Sequence, residues 1–142
     1  MAAMQLEYAL LTDHAEVVNG KLYLMGGGWD VLQSRQEPVP LRFAVALGVR
    51  VGWDETNRVF PVTVRVEDDD GAVHAQAQGS VSVGRPPTLP PGWSQLAKLA
   101  VTFSIALPRF GGYRVVVEVG DGDTAERRTL PFRVLPAGTP TA

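Results

Sequence analysis

Along most of this chain, apolar residues return at every second position, and no other feature limits its possible folds so sharply. In Phe60–Glu67, the residues Phe60, Val62, Val64 and Val66 fall on one side and Thr63, Arg65 and Glu67 on the other. Ala72–Val83 sets Val73, Ala75, Ala77, Gly79, Val81 and Val83 against His74, Gln76, Gln78, Ser80 and Ser82. Leu41–Val51, Leu99–Leu107, Tyr113–Val119 and Leu130–Val134 alternate in the same way. A β-strand turns successive side chains to opposite faces, so this is the pattern of a sheet with one buried face. A helix would bring its apolar residues back about every 3.6 positions. No long window carries a helical stripe, and only residues 93–99 admit a single helical turn.

The alternation predicts eight strands, at about 5–12, 21–33, 40–51, 58–67, 72–83, 98–107, 112–119 and 127–135. Asn19-Gly20 and Asp70-Gly71 are hairpin dipeptides, because these residue types accept positive φ at little cost. Pro38 and Pro40 mark a further gap, and Gly111-Gly112 another. Many short strands joined by such turns give an all-β chain, an antiparallel two-sheet β-sandwich of about eight strands with immunoglobulin-like or Greek-key connections. The 142 residues suffice for one domain with its own core, placed at 1–135. The remainder, 136–142 (PAGTPTA), offers no core residue and reads as a flexible tail.

The stretch Gly20–Leu32, GKLYLMGGGWDVL, interrupts a strand with three glycines. A phosphate-cradling loop needs a helix directly after it, and here strand-like Trp29-Asp30-Val31-Leu32 follows instead. Glycine within a strand marks a bulge or bend, so the strand can leave one sheet and join the other. Trp29 is then a core anchor and Asp30 caps the bend. Leu11-Thr12-Asp13-His14-Ala15, Gly20-Lys21-Leu22 and Gly27-Gly28-Trp29-Asp30 together resemble the opening of a bacterial family of small uncharacterised β-sandwich proteins. Asp69-Asp70-Gly71 and Gly112-Tyr113-Arg114-Val115 extend that resemblance over most of residues 6–135. It implies the fold and no activity. The order Gly112–Val117, hairpin Gly120–Thr124, Arg128–Val134 is also similar to the last strands of immunoglobulin-like domains, without their inter-sheet disulfide.

Several function classes lose their support on composition. A formal net charge of −2 supplies no basic excess for nucleic acid. With no cysteine, thiolate metal sites and thiol nucleophiles are excluded, and a cytoplasmic location is favoured. The N-terminal residues carry no basic start, and their longest apolar run is the four residues Tyr8–Leu11, so neither a signal peptide nor a membrane span is expected. His14 and His74 are the only histidines, which leaves little for a triad or a histidine metal site. His14, beside Asp13, reads as a polar strand end, and His74 as a solvated residue.

Two acidic loops, Glu67–Gly71 and Asp121-Gly122-Asp123, are candidates for calcium. With eight alternating strands, connections 18–20, 52–57, 84–97 and 120–126 share one end. Asp121 and Asp123 would then meet Asp54 and Glu55, and Asp68–Asp70 would lie opposite. Asp13, Asp30 and Asp54 are the carboxylates available to an enzyme or small-ligand site. The segment Gly84–Ser94, GRPPTLPPGWS, holds four prolines, which force extended backbone, and ends on Trp93. It is either a rigid crossover with Trp93 packed on the core or a preorganised contact loop. Trp93, Leu89, Pro90 and Trp53 are the candidate partner-binding residues. The sequence thus points to a non-enzymatic protein-interaction or assembly module without a cofactor, binding a protein partner or copies of itself. The alternatives are a small-ligand or calcium-binding sandwich and an enzyme using loop carboxylates.

Overall fold

The computed structural model describes residues 4–140 and is a two-sheet β-sandwich. Nine strands run in order: β1 (Gln5–Val18), β2 (Lys21–Gly27), β3 (Val31–Ser34), β4 (Val39–Val51), β5 (Phe60–Asp68), β6 (Val73–Val81), β7 (Gln95–Leu107), β8 (Gly111–Val119) and β9 (Glu126–Pro136). One sheet has the order β2-β1-β4-β7 and the other β3-β9-β8-β5-β6. Pairing is antiparallel throughout except for β3, which runs parallel to β9. Single 3-10 turns lie at Trp53–Glu55 and Gly122–Thr124. Residues 95–99, where the sequence admitted a helical turn, belong to β7, because pairing with β4 satisfies their backbone. No helix among the described residues is long and apolar enough to cross a membrane.

The alternating sets meet between the sheets. Phe43, Val45, Leu47, Val49 and Val51 of β4 face Phe60, Val62, Val64 and Val66 of β5, Val115, Val117 and Val119 of β8, and Phe132 and Val134 of β9, all buried. Burying each such side chain is worth about 1.5–3 kcal/mol. Trp29 joins this core, edge-on to Phe43 (5.9 Å between ring centroids) and to Phe132 (6.0 Å).

The stretch 21–33 is two strands rather than one, and the chain crosses between the sheets where the bend was expected. Gly26 (φ +62°) and Gly28 (φ +83°) adopt backbone that side chains disfavour: the pairing of β2 with β1 skips Gly26, resumes at Thr12↔Gly27 and ends before Gly28. The Gly28 N–H donates to the Leu11 carbonyl at 2.9 Å. Asp30 holds the far side of the bend through its backbone carbonyl, which accepts the Arg133 N–H at 2.9 Å, while its side chain is exposed. The additional strand also places 18–20 at the end opposite 52–57, correcting the placement expected from eight alternating strands.

β1 is longer than its alternation indicates. Its ladder with β4 stops at Thr12↔Ala44, yet its ladder with β2 continues to Val18↔Lys21. The free half of this hairpin folds across the outer face of its own sheet and reaches β7. There Ala15 and Leu22 pack on Ala44, Ala46 and Ala100, so Ala44 and Ala46 are buried although they point away from the core. Alanines at that floor let the hairpin backbone approach closely. Asp13 and His14, read as a strand end, sit at the start of this arm, with both side chains exposed.

Residues 136–140, the start of the expected tail, are tied down. Ala137 N–H donates to Ser34 O at 2.8 Å, and Gln33 Nε2 donates to Thr139 O at 2.6 Å. Residues 141–142 lie outside the described residues.

Candidate functional site

The registers gather Met4 and the connections 52–59, 82–94 and 120–125 at one end of the sandwich, the lower end. As expected, 52–57, 84–97 and 120–126 share it. Segment 84–94 is folded on itself: Leu89 N–H donates to Pro86 O at 3.0 Å, and Trp93 N–H to Pro90 O at 3.2 Å. Gln95 Nε2 donates to Gly84 O at 2.7 Å and closes its base. The Arg85 guanidinium stacks 3.8 Å above the Trp53 ring and donates to the Trp53 carbonyl, joining this segment to residues 53–55. Asn57 N–H adds a bond to Val83 O at 2.7 Å.

The four candidate contact residues fare differently on this frame. Trp93 is 62% exposed, so it is not packed on the core as the crossover reading required. Pro90 is exposed, and Leu89 and Trp53 are half-buried. The loop therefore holds a large aromatic side chain in solvent while its own backbone is hydrogen-bonded.

The carboxylates expected to converge at this end do not form a cation site. Glu55 accepts the Met4 N–H at 3.0 Å and the Gly52 N–H at 3.1 Å, with Arg58 3.9 Å away, so its oxygens are already used. Asp54, Asp121 and Asp123 are exposed. Among the described residues, no group of three or more histidines, aspartates and glutamates is arranged to hold a metal ion. Asp13 lies against Gly26, away from Asp54. Asp30 borders two open clefts, one of about 650 Å³ with Trp29 and Arg133, and one of about 350 Å³ with Asp69, Tyr113 and Arg133.

The acidic loop Glu67–Gly71, a calcium candidate in the sequence, instead holds the most highly connected polar groups, paired within the protein. At the upper end, Asp68 is buried, its Oδ1 accepting the N–H groups of Asp70 (2.9 Å) and Ala72 (3.0 Å), its Oδ2 2.9 Å from Nε2 of His74. The hydrogen bond with His74, then those from Ala72 and Asp70, outweigh burial and hold the Asp68 carboxyl below the usual carboxylate range. His74 is thus a partner of Asp68 and stands edge-on to Tyr113 (5.8 Å), rather than solvated. The Tyr113 hydroxyl donates to Arg109 O at 2.6 Å. Beside them Glu67 accepts from Nε of Arg65 (3.0 Å) and of Arg114 (2.9 Å), which lowers its pKa against the cost of burial. Arg65 also donates to Glu118 at 2.8 Å; these hydrogen bonds, Glu118 first and Glu67 second, raise its own pKa. Every carboxylate of this network has a cation, His74 or a backbone N–H beside it, and Asp68 fastens the 69–72 hairpin. An aspartate two residues before Asp70-Gly71 was the available signal for the turn; nothing local announces the pairing with His74.

Comparisons with known proteins give distant structural likenesses. A β-glucuronidase from glycoside hydrolase family 2 superposes with a TM-score of 0.46 at 16% identity, over 68% of this chain. This chain spans only 10% of that enzyme. The C-terminal domain of wzt superposes with a TM-score of 0.45 at 12% identity, over 94% of this chain and 74% of that one. No curated protein matches in sequence. A family model does match, over residues 7–135, and the chain accordingly belongs to the family of unknown function DUF6941.

Proposed function

We propose that this protein is a non-enzymatic interaction module of the bacterial cytoplasm that holds a protein partner at its lower end, through Trp93, Leu89, Pro90 and Trp53. The observation that carries this reading is the 62% exposure of Trp93 on a loop whose backbone is tied by its own hydrogen bonds. A tryptophan offers on the order of 200 Å² of contact area with few rotatable bonds, which is why it dominates many interfaces. Preorganisation lowers the ordering cost of association, and Arg85 stacked on Trp53 supplies it here. The lack of cysteine agrees with a reducing compartment.

The test is affinity capture from native lysate, with wild type, Trp93→Ala and Trp53→Ala side by side, read by mass spectrometry. A partner held by wild type and lost with Trp93→Ala is expected. Identical captured sets from all three proteins would sink this reading. The clefts bordered by Asp30 favour a second reading, a small-ligand or carboxylate-enzyme site at the opposite end. Ligand-induced stabilisation abolished by Asp30→Asn and untouched by Trp93→Ala would select it instead.

A further inference from the structure

We propose that β7 is the attachment edge for a second copy of this chain, which pairs with it antiparallel about a two-fold axis through Val101. The sandwich has four edge strands and treats them unequally. β2 is carried away with the hairpin folded over its own sheet. β3 has only four residues, and residues 137–139 hydrogen-bond to Gln33 and Ser34 at its end. β6 and β7 flank the same open side, with an apolar groove of about 160 Å³ between them lined by Val62, Val64, Ala77, Gly79, Leu99 and Val101. The small inner residues of β6, Ala75, Ala77 and Gly79, do not fill that space.

Natural sheets protect an edge by shortness, proline, a bulge or charge. β7 is thirteen residues long, has no proline, and keeps one unbroken register with β4 from Val51↔Gln95 to Val39↔Leu107. It carries one charge, Lys98, whose Nζ is turned onto the Leu96 carbonyl of its own strand (2.9 Å). β6 is shorter and sits beside a register shift at Val66/Glu67, so β7 is the better template.

The occupant follows from the pattern of β7 itself. With the axis at Val101, all thirteen residues find partners: Gln95 faces Leu107, Leu99 faces Phe103, and Lys98 faces the neutral Ser104 of the second copy. Apolar residues stay on the inner face, and no like charges meet. The same axis turns the two open grooves towards each other and covers Leu99 and Val101. Thirteen residues a side falls below the roughly 20–30 of a standard interface, so the dimer forms in a concentration-dependent way.

Ser104 is exposed but faces Arg42 across the β4–β7 ladder, so every protein in the test carries Arg42→Gln, which leaves Lys98 of the second copy as the charge that position 104 meets. Sedimentation equilibrium from about 1 µM to about 1 mM should show a monomer–dimer equilibrium for Arg42→Gln alone. Ser104→Lys sets a lysine against Lys98 twice by symmetry and should weaken the dimer about fivefold, whereas Ser104→Glu should tighten it by a similar factor. Combining Lys98→Glu with Ser104→Lys should restore association. Circular dichroism should be the same for all four proteins. An Arg42→Gln protein monomeric over the whole range overturns the proposal. So does a dimer indifferent to positions 98 and 104, or one abolished by Trp93→Ala, which would be association through the lower end.

Discussion

Trp29 and Trp93 are the same residue type in opposite circumstances. Trp29 stands with Phe43, Phe132, Tyr113 and Phe103 in a chain of ring contacts 5.5–6.0 Å apart that crosses from one sheet to the other. Trp93, at the lower end, stands outside the core on a loop that is ordered without it. Core positions at that end are filled by Val51, Val62, Val81 and Val119 together with Phe60 and Met4. The difference separates two roles for an aromatic ring. Within the core it fills the wide space between the sheets; on a loop already held by Arg85 and Gln95, the ring is free to meet something else.

The comparison breaks most visibly through Phe132, which is 2% exposed and touches Trp29, Phe43 and Tyr113. Phe132→Ala should lower the unfolding free energy by about 3–5 kcal/mol, because the ring's transfer energy is lost and rigid neighbours leave a cavity. Urea denaturation followed by tryptophan fluorescence measures it. A loss under about 1 kcal/mol would mean that the cluster collapses easily and is not what joins the sheets.

Gly26 tests the route by which Trp29 reaches the core. At φ +62°, a side chain meets left-handed strain of about 1–2 kcal/mol. A Cβ there would also collide with the Asp13 carboxylate, but Asp13 is exposed and can swing aside. Gly26→Ala should therefore destabilise by about 1–2 kcal/mol by the same denaturation measurement, and adding Asp13→Ala should recover little of it. Full recovery would identify the collision, not the backbone, as the constraint.

Much of this architecture was legible because each core strand keeps one phase from end to end, as in Phe60–Val66 and Tyr113–Val119. The parts that escaped are those where the phase changes. Leu11 points into the sandwich, while Ala15, four residues on, packs on the outer face, so the alternation seemed to end near Thr12 and hid half of β1. The glycines of 26–28 announced a bend, but glycine has no side chain to show that two separate strands meet there. Of the candidate contact residues, position along the chain was readable and exposure was not: a tryptophan after Pro-Pro-Gly fits a core and a surface equally well. The Asp68–His74 pair was hidden for another reason, since the two residues meet across a hairpin whose register shifts at Val66/Glu67.

That pair sharpens the contrast between the ends, because the upper one depends on pH. Asp68 and Glu67 are held below their ordinary values of 3.8 and 4.5, so ionisation favours the folded state. Their contribution is complete above the unfolded-state range near 4 and is lost as pH falls through the lower folded-state values. Asp68→Asn should reduce stability at neutral pH and flatten the acid limb of the stability profile, measured by urea midpoints from pH 7 down to about 2.5. An acid limb as steep as that of wild type would assign the effect to other carboxylates.

The smallest effect on stability should come from Trp93→Ala. A residue 62% exposed on a loop closed by backbone and glutamine hydrogen bonds should change the unfolding free energy by no more than about 0.5 kcal/mol. Trp53→Ala should cost somewhat more, about 0.5–1 kcal/mol, because Arg85 loses the ring it stacks on. These two numbers decide how a lost partner is to be read. If Trp93→Ala abolishes capture while the urea midpoint stays put, the side chain itself makes the contact. If the midpoint falls along with capture, Trp93 holds the loop rather than the partner, and its likeness to Trp29 is closer than its exposure implies.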